Sequence, residues 1–148
     1  MGMDHTPQHE VEPLDALAGE WRTRAAHPKL PGVVVEGRSR FEWLEGRRFL
    51  IGRFSNEHAQ FPDGLTVFGA PEDEPLTMHY YDSRGVERVY RTSLRDGVWR
   101  CWREAPGFSQ SFEGRIEDGG AAIAGLWHVC EDGETWNADV EITYRREG

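Results

Sequence analysis

Residues 86–103 read VERVYRTSLRDGVWRCWR, two runs of β-favouring side chains around Asp96-Gly97. Asp-Gly supplies the positive φ angles that a two-residue hairpin turn needs, and Val, Tyr, Thr and Trp suit a pleated surface better than a helix. Alternation across that turn gives the pairs Leu94–Trp99, Thr92–Cys101 and Tyr90–Arg103 on one face. Ser93–Arg100 and Arg91–Trp102 fall on the other. The face with Tyr90, Leu94 and Trp99 is the more apolar and is expected inward, which leaves Arg91 over Trp102 as an exposed cation–π pair.

The same pattern continues in both directions. Asp-Gly recurs at Asp63-Gly64, Asp118-Gly119 and Asp132-Gly133. Strands are expected near 20–26, 33–44, 48–55, 65–70, 75–82, 86–95, 98–103, 108–116, 122–131 and 134–146. No helical stretch long enough for a parallel crossover separates them, so the chain is expected to be all-β and antiparallel. About ten hairpin-linked strands lose their exposed edges by closing into a single up-and-down barrel, with a two-sheet sandwich as the alternative. The one helical segment is short: PLDALAG, Pro13 to Gly19, starts on proline and ends on glycine. Residues 1–12 are polar and without period and are expected to form a flexible arm, so one barrel domain occupies 13–148.

A length of 148 residues fits one domain with one core. The formal net charge of −9 argues against nucleic acid, whose binding rewards clustered positive charge. Sixteen of the 17 basic residues are arginine, spread along the chain instead of forming a patch. No apolar run reaches membrane-spanning length and the N-terminus lacks a secretory apolar core, so a cytoplasmic protein without a membrane partner is expected. Met1-Gly2 with Thr6 matches the short myristoylation pattern, a loose motif that needs a eukaryotic context. Cysteine and histidine spacings suggest no metal site, and no nucleophile elbow or phosphate loop is present.

Extending the inward face gives the candidate site. Gln110, from the strand alternating Phe108, Gln110 and Phe112, is expected to join Tyr90, Thr92, Cys101 and Arg103. Leu76, Met78 and Tyr80 face inward on their strand, which sends His79 and Tyr81 outward. A two-residue turn at Asp132-Gly133 would pair Glu131 with Glu134, collecting Trp127, Val129, Trp136, Ile142 and Tyr144 inside. Cys101 would then point inward and Cys130 outward, so no disulfide is expected between them. Arginine and glutamine inside a solid core cost a few kcal/mol each, about 2–7 without partners. Either a solvated cavity holds Arg103 and Gln110, or they lie at the barrel mouth and reach water. Around Glu45-Gly46 a two-residue loop puts Leu50 and Phe54 inside and a three-residue loop puts Phe49, Ile51 and Arg53 there. The run His79-Tyr80-Tyr81-Asp82 holds acid and base side chains, but neighbours on a strand diverge, so a polar strand end is the plainer reading.

A short helix leading into Gly19-Glu20-Trp21, a meander of about ten strands and a terminal Ile142-Thr143-Tyr144-Arg145 together resemble the calycin group of β-barrels. That group includes lipocalins, fatty-acid-binding proteins and nitrobindins. The resemblance implies that Trp21 plugs the barrel bottom under Arg145 or Arg146. In layout it looks closest to nitrobindin-type and related bacterial lipocalin-like domains, with which it shares Leu-Ala-Gly-x-Trp. Nitrobindins hold haem through a last-strand histidine. Residues 135–146 contain none, so no haem is expected from the family's residue, and its haem activity is in doubt here. The Arg-x-Tyr carboxylate clamp of fatty-acid-binding proteins is also absent, though Arg103 with Tyr90 would imitate it.

The expectation is a carrier or sensor for a small, mostly apolar molecule with one polar or anionic end. Trp99, Trp127 and Trp136 would form its walls and Tyr90, Arg103 and Gln110 its polar anchor, within a set that includes Tyr80, Thr92, Cys101 and Tyr144. The alternatives are a haem enzyme using His27 or His79, a cofactor-free isomerase or cyclase acting on an apolar substrate, and a barrel that binds protein through Trp102. A monomer or weak homodimer is expected.

Overall fold

The computed structural model describes residues 11–70 and 74–147. Ten strands follow one another: β1 (Gly19–Ala26), β2 (Val35–Trp43), β3 (Phe49–Asn56), β4 (Gly64–Gly69), β5 (Thr77–Asp82), β6 (Glu87–Arg95), β7 (Val98–Arg103), β8 (Ser109–Glu117), β9 (Ala122–Cys130) and β10 (Trp136–Arg146). Each pairs antiparallel with its neighbour, and β1 closes on β10 from Trp21↔Arg146 to Ala26↔Glu141. The all-β closed barrel expected from the sequence is therefore the fold. Among the described residues no helix is long and apolar enough to cross a membrane. Most of the expected 1–12 arm, and the Met1-Gly2 motif, lie outside the described residues, while Val11 is buried in the core.

Local chemistry explains the turns. Asp96 and Gly97 both take positive φ, 53° and 75°, so β6–β7 is the tight hairpin expected, in the expected register. The Asp132-Gly133 turn corrects the two-residue reading. Asp132 Oδ1 accepts the backbone N–H groups of Glu134 (2.8 Å) and Thr135 (2.7 Å), which widens the loop and pairs Trp136 with Cys130. Those two bonds hold the Asp132 carboxyl down at about 2. An irregularity between Ala138 and Glu141 then restores the parity that points Ile142 and Tyr144 inward. At Glu45-Gly46 the register Trp43↔Leu50 places Leu50, Gly52 and Phe54 on the inner face.

The predicted opening helix is a single 3-10 segment, Glu12–Leu17, whose Leu14 and Leu17 are fully buried. It caps one barrel end. Trp21 Nε1 donates to the Leu17 carbonyl at 2.8 Å, and the Asp15 carboxylate accepts from Trp43 Nε1 (2.8 Å) and Arg47 (3.1 Å). Arg146 is the cover, not Arg145. Its guanidinium lies 4.1 Å from the centre of the Trp21 ring and donates to the carbonyls of Ala16, Ala18 and Gly120. Arg145 instead reaches Asp118 at 3.2 Å. Above the plug, Phe41, Phe68, Trp99 and Phe112 pack edge to face or tilted, with ring centres 4.9–6.2 Å apart.

Candidate functional site

The barrel is closed at the Trp21 end and open at the other. Between the packed aromatic layer and the open end lies a cavity of about 400 Å³. Glycine makes part of this space. An added Cβ at Gly125 would stand 2.6 Å from Phe112 Cε1, and one at Gly114 would stand 3.0 Å from the same ring. Two bare backbone positions thus let Phe112 lie down along the wall where a side chain would drive it into the lumen.

Alternation along the strands assigns the lining. Tyr80, Tyr90, Trp99, Cys101, Gln110, Trp127 and Tyr144, all expected from the sequence, border the cavity. Tyr90 donates its hydroxyl to Gln110 Oε1 at 2.8 Å, leaving the amide Nε2 without a protein acceptor among the described residues. Burial pushes the Tyr90 and Tyr144 hydroxyls above their ordinary range and the Cys101 thiol up to about 12, so all three stay protonated at neutral pH. Cys101 Sγ sits 3.5 Å from Thr92 Oγ1 and 4.0 Å from Met78 Sδ. Both cysteines are free and buried, and Cys130 turns its thiol to Asp132 outside the lumen.

Three expected lining residues do not border the cavity. Trp136 is 49% exposed because the wider turn shifts its register by one residue and turns it outward. Thr92 faces inward but donates its hydroxyl to the Arg100 carbonyl at 2.7 Å. Arg103 pairs with Gln110 across β7–β8, and its guanidinium is drawn to the Phe108 carbonyl at 3.1 Å instead of the lumen. Arg91 does lie over Trp102, at 5.9 Å.

Sequence reasoning missed the basic groups that border the open end. Arg88 lines the cavity and lies 5.1 Å from the Phe108 ring centre. It shares parity with Tyr90, so extending the 86–103 alternation by two residues would have found it. Arg84 also reaches the mouth, from a turn. It grips Asp82 through Nη2 (2.6 Å) and Nε (3.1 Å), while Tyr80 donates to the same carboxylate at 2.6 Å. The Arg84 guanidinium holds the Asp82 carboxyl well below the usual range, and burial together with the Asp82 bond pushes the Tyr80 hydroxyl far up. Neither group is tuned for proton transfer near neutral pH.

At the rim, His27 Nε2 meets Asp139 Oδ1 at 3.0 Å, and its Nδ1 accepts the Lys29 N–H. Both ring nitrogens are thus engaged. His79 lies on the outer face, paired with Val67 and Val89. The two histidines considered for haem, His27 and His79, therefore present no free nitrogen to the lumen, and neither is placed to ligate a haem there.

No family model matches the sequence, and no curated protein matches it. Among solved structures the chain is similar to the crystal structure of Rv2717c from M. tuberculosis. The TM-score is 0.68 over 98% of this chain and 100% of that one, at 13% identity. At that identity the likeness is one of fold.

Proposed function

We propose that this barrel is a binding module, a carrier or sensor that holds one small, mostly apolar molecule with a polar or anionic end, as the resemblance to calycin barrels suggests. The observation that carries the reading is the asymmetry of the lumen. One end is plugged by Trp21 and Arg146, and the other opens on a cavity of about 400 Å³. That size and its mixture of aromatic walls with convergent polar groups suit a small-molecule site. The ligand's apolar body lies against Trp99, Phe112 and Trp127. Its polar end faces the Gln110 amide and the guanidinium of Arg88, with Arg84 beside them. Arg88 takes the anchoring role that the sequence assigns to Arg103. Acid and base groups at the mouth are committed to one another, which favours binding over catalysis.

The test is fluorescence titration with 1-anilinonaphthalene-8-sulfonate, together with native mass spectrometry of the purified protein. Saturable binding at one probe per chain is expected, weakened about three- to tenfold by Arg88→Ala, which removes a half-exposed charged donor. Absence of saturable binding, with no co-purifying small molecule, overturns the reading.

A further inference from the structure

We infer that the part of the ligand held inside the barrel is a neutral planar ring bearing hydrogen-bonding substituents along one edge. This rests on the binding-module reading above and refines what the lumen selects. The two sides of the lumen differ in their hydroxyl groups, although both carry aromatic rings, Phe41, Phe54 and Phe68 lying on β2, β3 and β4. On one side, β1, β2 and β4 turn Thr23, Ser39 and Thr66 inward, with exposures of 2%, 7% and 8%. Their hydroxyls make no hydrogen bond to protein among the described residues. Tyr144 of β10, 9% exposed, next to Thr23 in the β1–β10 ladder and with its ring 5.9 Å from that of Trp99, adds a fourth hydroxyl with no partner among the described residues. These oxygens are not sealed off, because among the described residues the one enclosed side-chain nitrogen or oxygen lacking a partner is Trp99 Nε1. They open on the cavity.

In the closed strand order, β2, β3 and β4 stand across the barrel from β7, β8 and β9. Those strands contribute Trp99, Phe112 and Trp127, with successive ring centres 4.9 Å apart. Phe112 lies back over its two glycines, so the wall presents ring surface to the lumen. These rings are inclined at 71° and 41° to one another, so a flat ligand ring packs by its face on one and by its edge on the next.

Hydroxyls donate and accept but carry no charge. A ligand edge with oxygen or nitrogen replaces the waters on Thr23, Ser39, Thr66 and Tyr144, whereas a hydrocarbon edge strips those waters and returns nothing. An anion is disfavoured at this wall, because the inward-reaching lining arginines, Arg84 and Arg88, stand at the mouth. Arg53 of β3 also borders the cavity but is exposed, between the inward Gly52 and Phe54.

Three probes separate the possibilities: naphthalene, 2,3-dihydroxynaphthalene and 2-naphthoate, titrated by quenching of tryptophan fluorescence. In the unaltered protein the diol is expected to bind about tenfold more tightly than naphthalene, the gain from one to two satisfied hydrogen bonds. The diol-to-naphthalene ratio is expected to fall about three- to tenfold in the Thr23→Val/Thr66→Val double variant, which keeps side-chain shape. Taking the ratio within each variant cancels any general loss of affinity, and Tyr144→Phe supplies a second deletion if the valines impair folding. Equal binding of diol and naphthalene, or a preference insensitive to all these substitutions, overturns the inference and leaves the binding-module reading standing. Tightest binding by 2-naphthoate that depends on Thr23 and Thr66 overturns its neutrality. If none of the three binds while 1-anilinonaphthalene-8-sulfonate does, the inference falls alone; if that probe fails too and nothing co-purifies, the binding-module reading falls with it.

Discussion

Removing the Arg146 side chain tests whether the barrel bottom is held as the geometry says. The guanidinium donates to Ala18 O at 2.6 Å, Ala16 O at 2.7 Å and Gly120 O at 2.9 Å, and it stacks 4.1 Å from the Trp21 ring centre. These bonds join the N-terminal 3-10 segment and the 118–120 turn to the last strand. Because the side chain is exposed, water replaces much of what is lost, and each bond counts at the low end, about 0.5 kcal/mol. A cation–π contact at an exposed site adds about 0.5–1 kcal/mol. Arg146→Ala is therefore expected to cost about 2 kcal/mol, which lowers Tm by about 6–8 °C in a chain of this size. Arg146→Lys should recover less than half of this, since an ammonium cannot span three divergent carbonyls in one plane. Thermal melts followed by circular dichroism, with Trp21 emission as a local probe, measure both. A melt of Arg146→Ala within a degree of the parent, or full rescue by lysine, would refute the claim that this fork locks the plug.

Other perturbations reach different parts of the molecule. Gly125→Ala places a Cβ 2.6 Å from Phe112 Cε1 and 3.3 Å from the Ile142 carbonyl. It should destabilise the fold by about 1–3 kcal/mol and weaken probe binding as the ring tips into the lumen; unchanged values of both would contradict the glycine argument. Asp82 has its carboxyl lowered in the folded protein by Arg84, so its contribution to stability is present above the unfolded carboxyl value and fades as pH falls through the folded one. Asp82→Asn should thus lower Tm at pH 7, with the gap to the parent closing below about pH 4; a pH-independent gap would count against that linkage. The Cys101 thiol, almost wholly buried at the cavity wall and pushed up to about 12, should resist iodoacetamide at pH 8 until the protein is unfolded; mass spectrometry showing rapid labelling of native Cys101 would sink this.

Particular residues show where reading the chain succeeds and where it stops. The Asp96-Gly97 hairpin is legible because its turn chemistry is local: both residues take positive φ, the register follows, and with it the direction of Tyr90, Leu94, Trp99 and Cys101. Asp132-Gly133 has the same dipeptide, yet its aspartate spends its carboxylate on two backbone donors and widens the loop. A one-residue difference there turned Trp136 from wall to surface, and no pattern within β9 or β10 announces it. Arg103 was assigned to the right face, but which acceptor captures a long guanidinium depends on the Phe108 carbonyl, whose position the loop sets.

By itself the sequence determined the strand count, the antiparallel order and most inner faces, since alternation and turn preference are properties of neighbouring residues; the Trp21 plug followed from the resemblance to calycin barrels. Only the tertiary structure decided what meets across the lumen. The choice of Arg146 over Arg145 as cover, the pairing of His27 with Asp139, and the gathering of Thr23, Ser39 and Thr66 around one cavity with Trp99 and Trp127 all join residues far apart in the chain. Barrel closure, bulges and loop width set those meetings, and they are summed over the whole sheet instead of being written in any one strand.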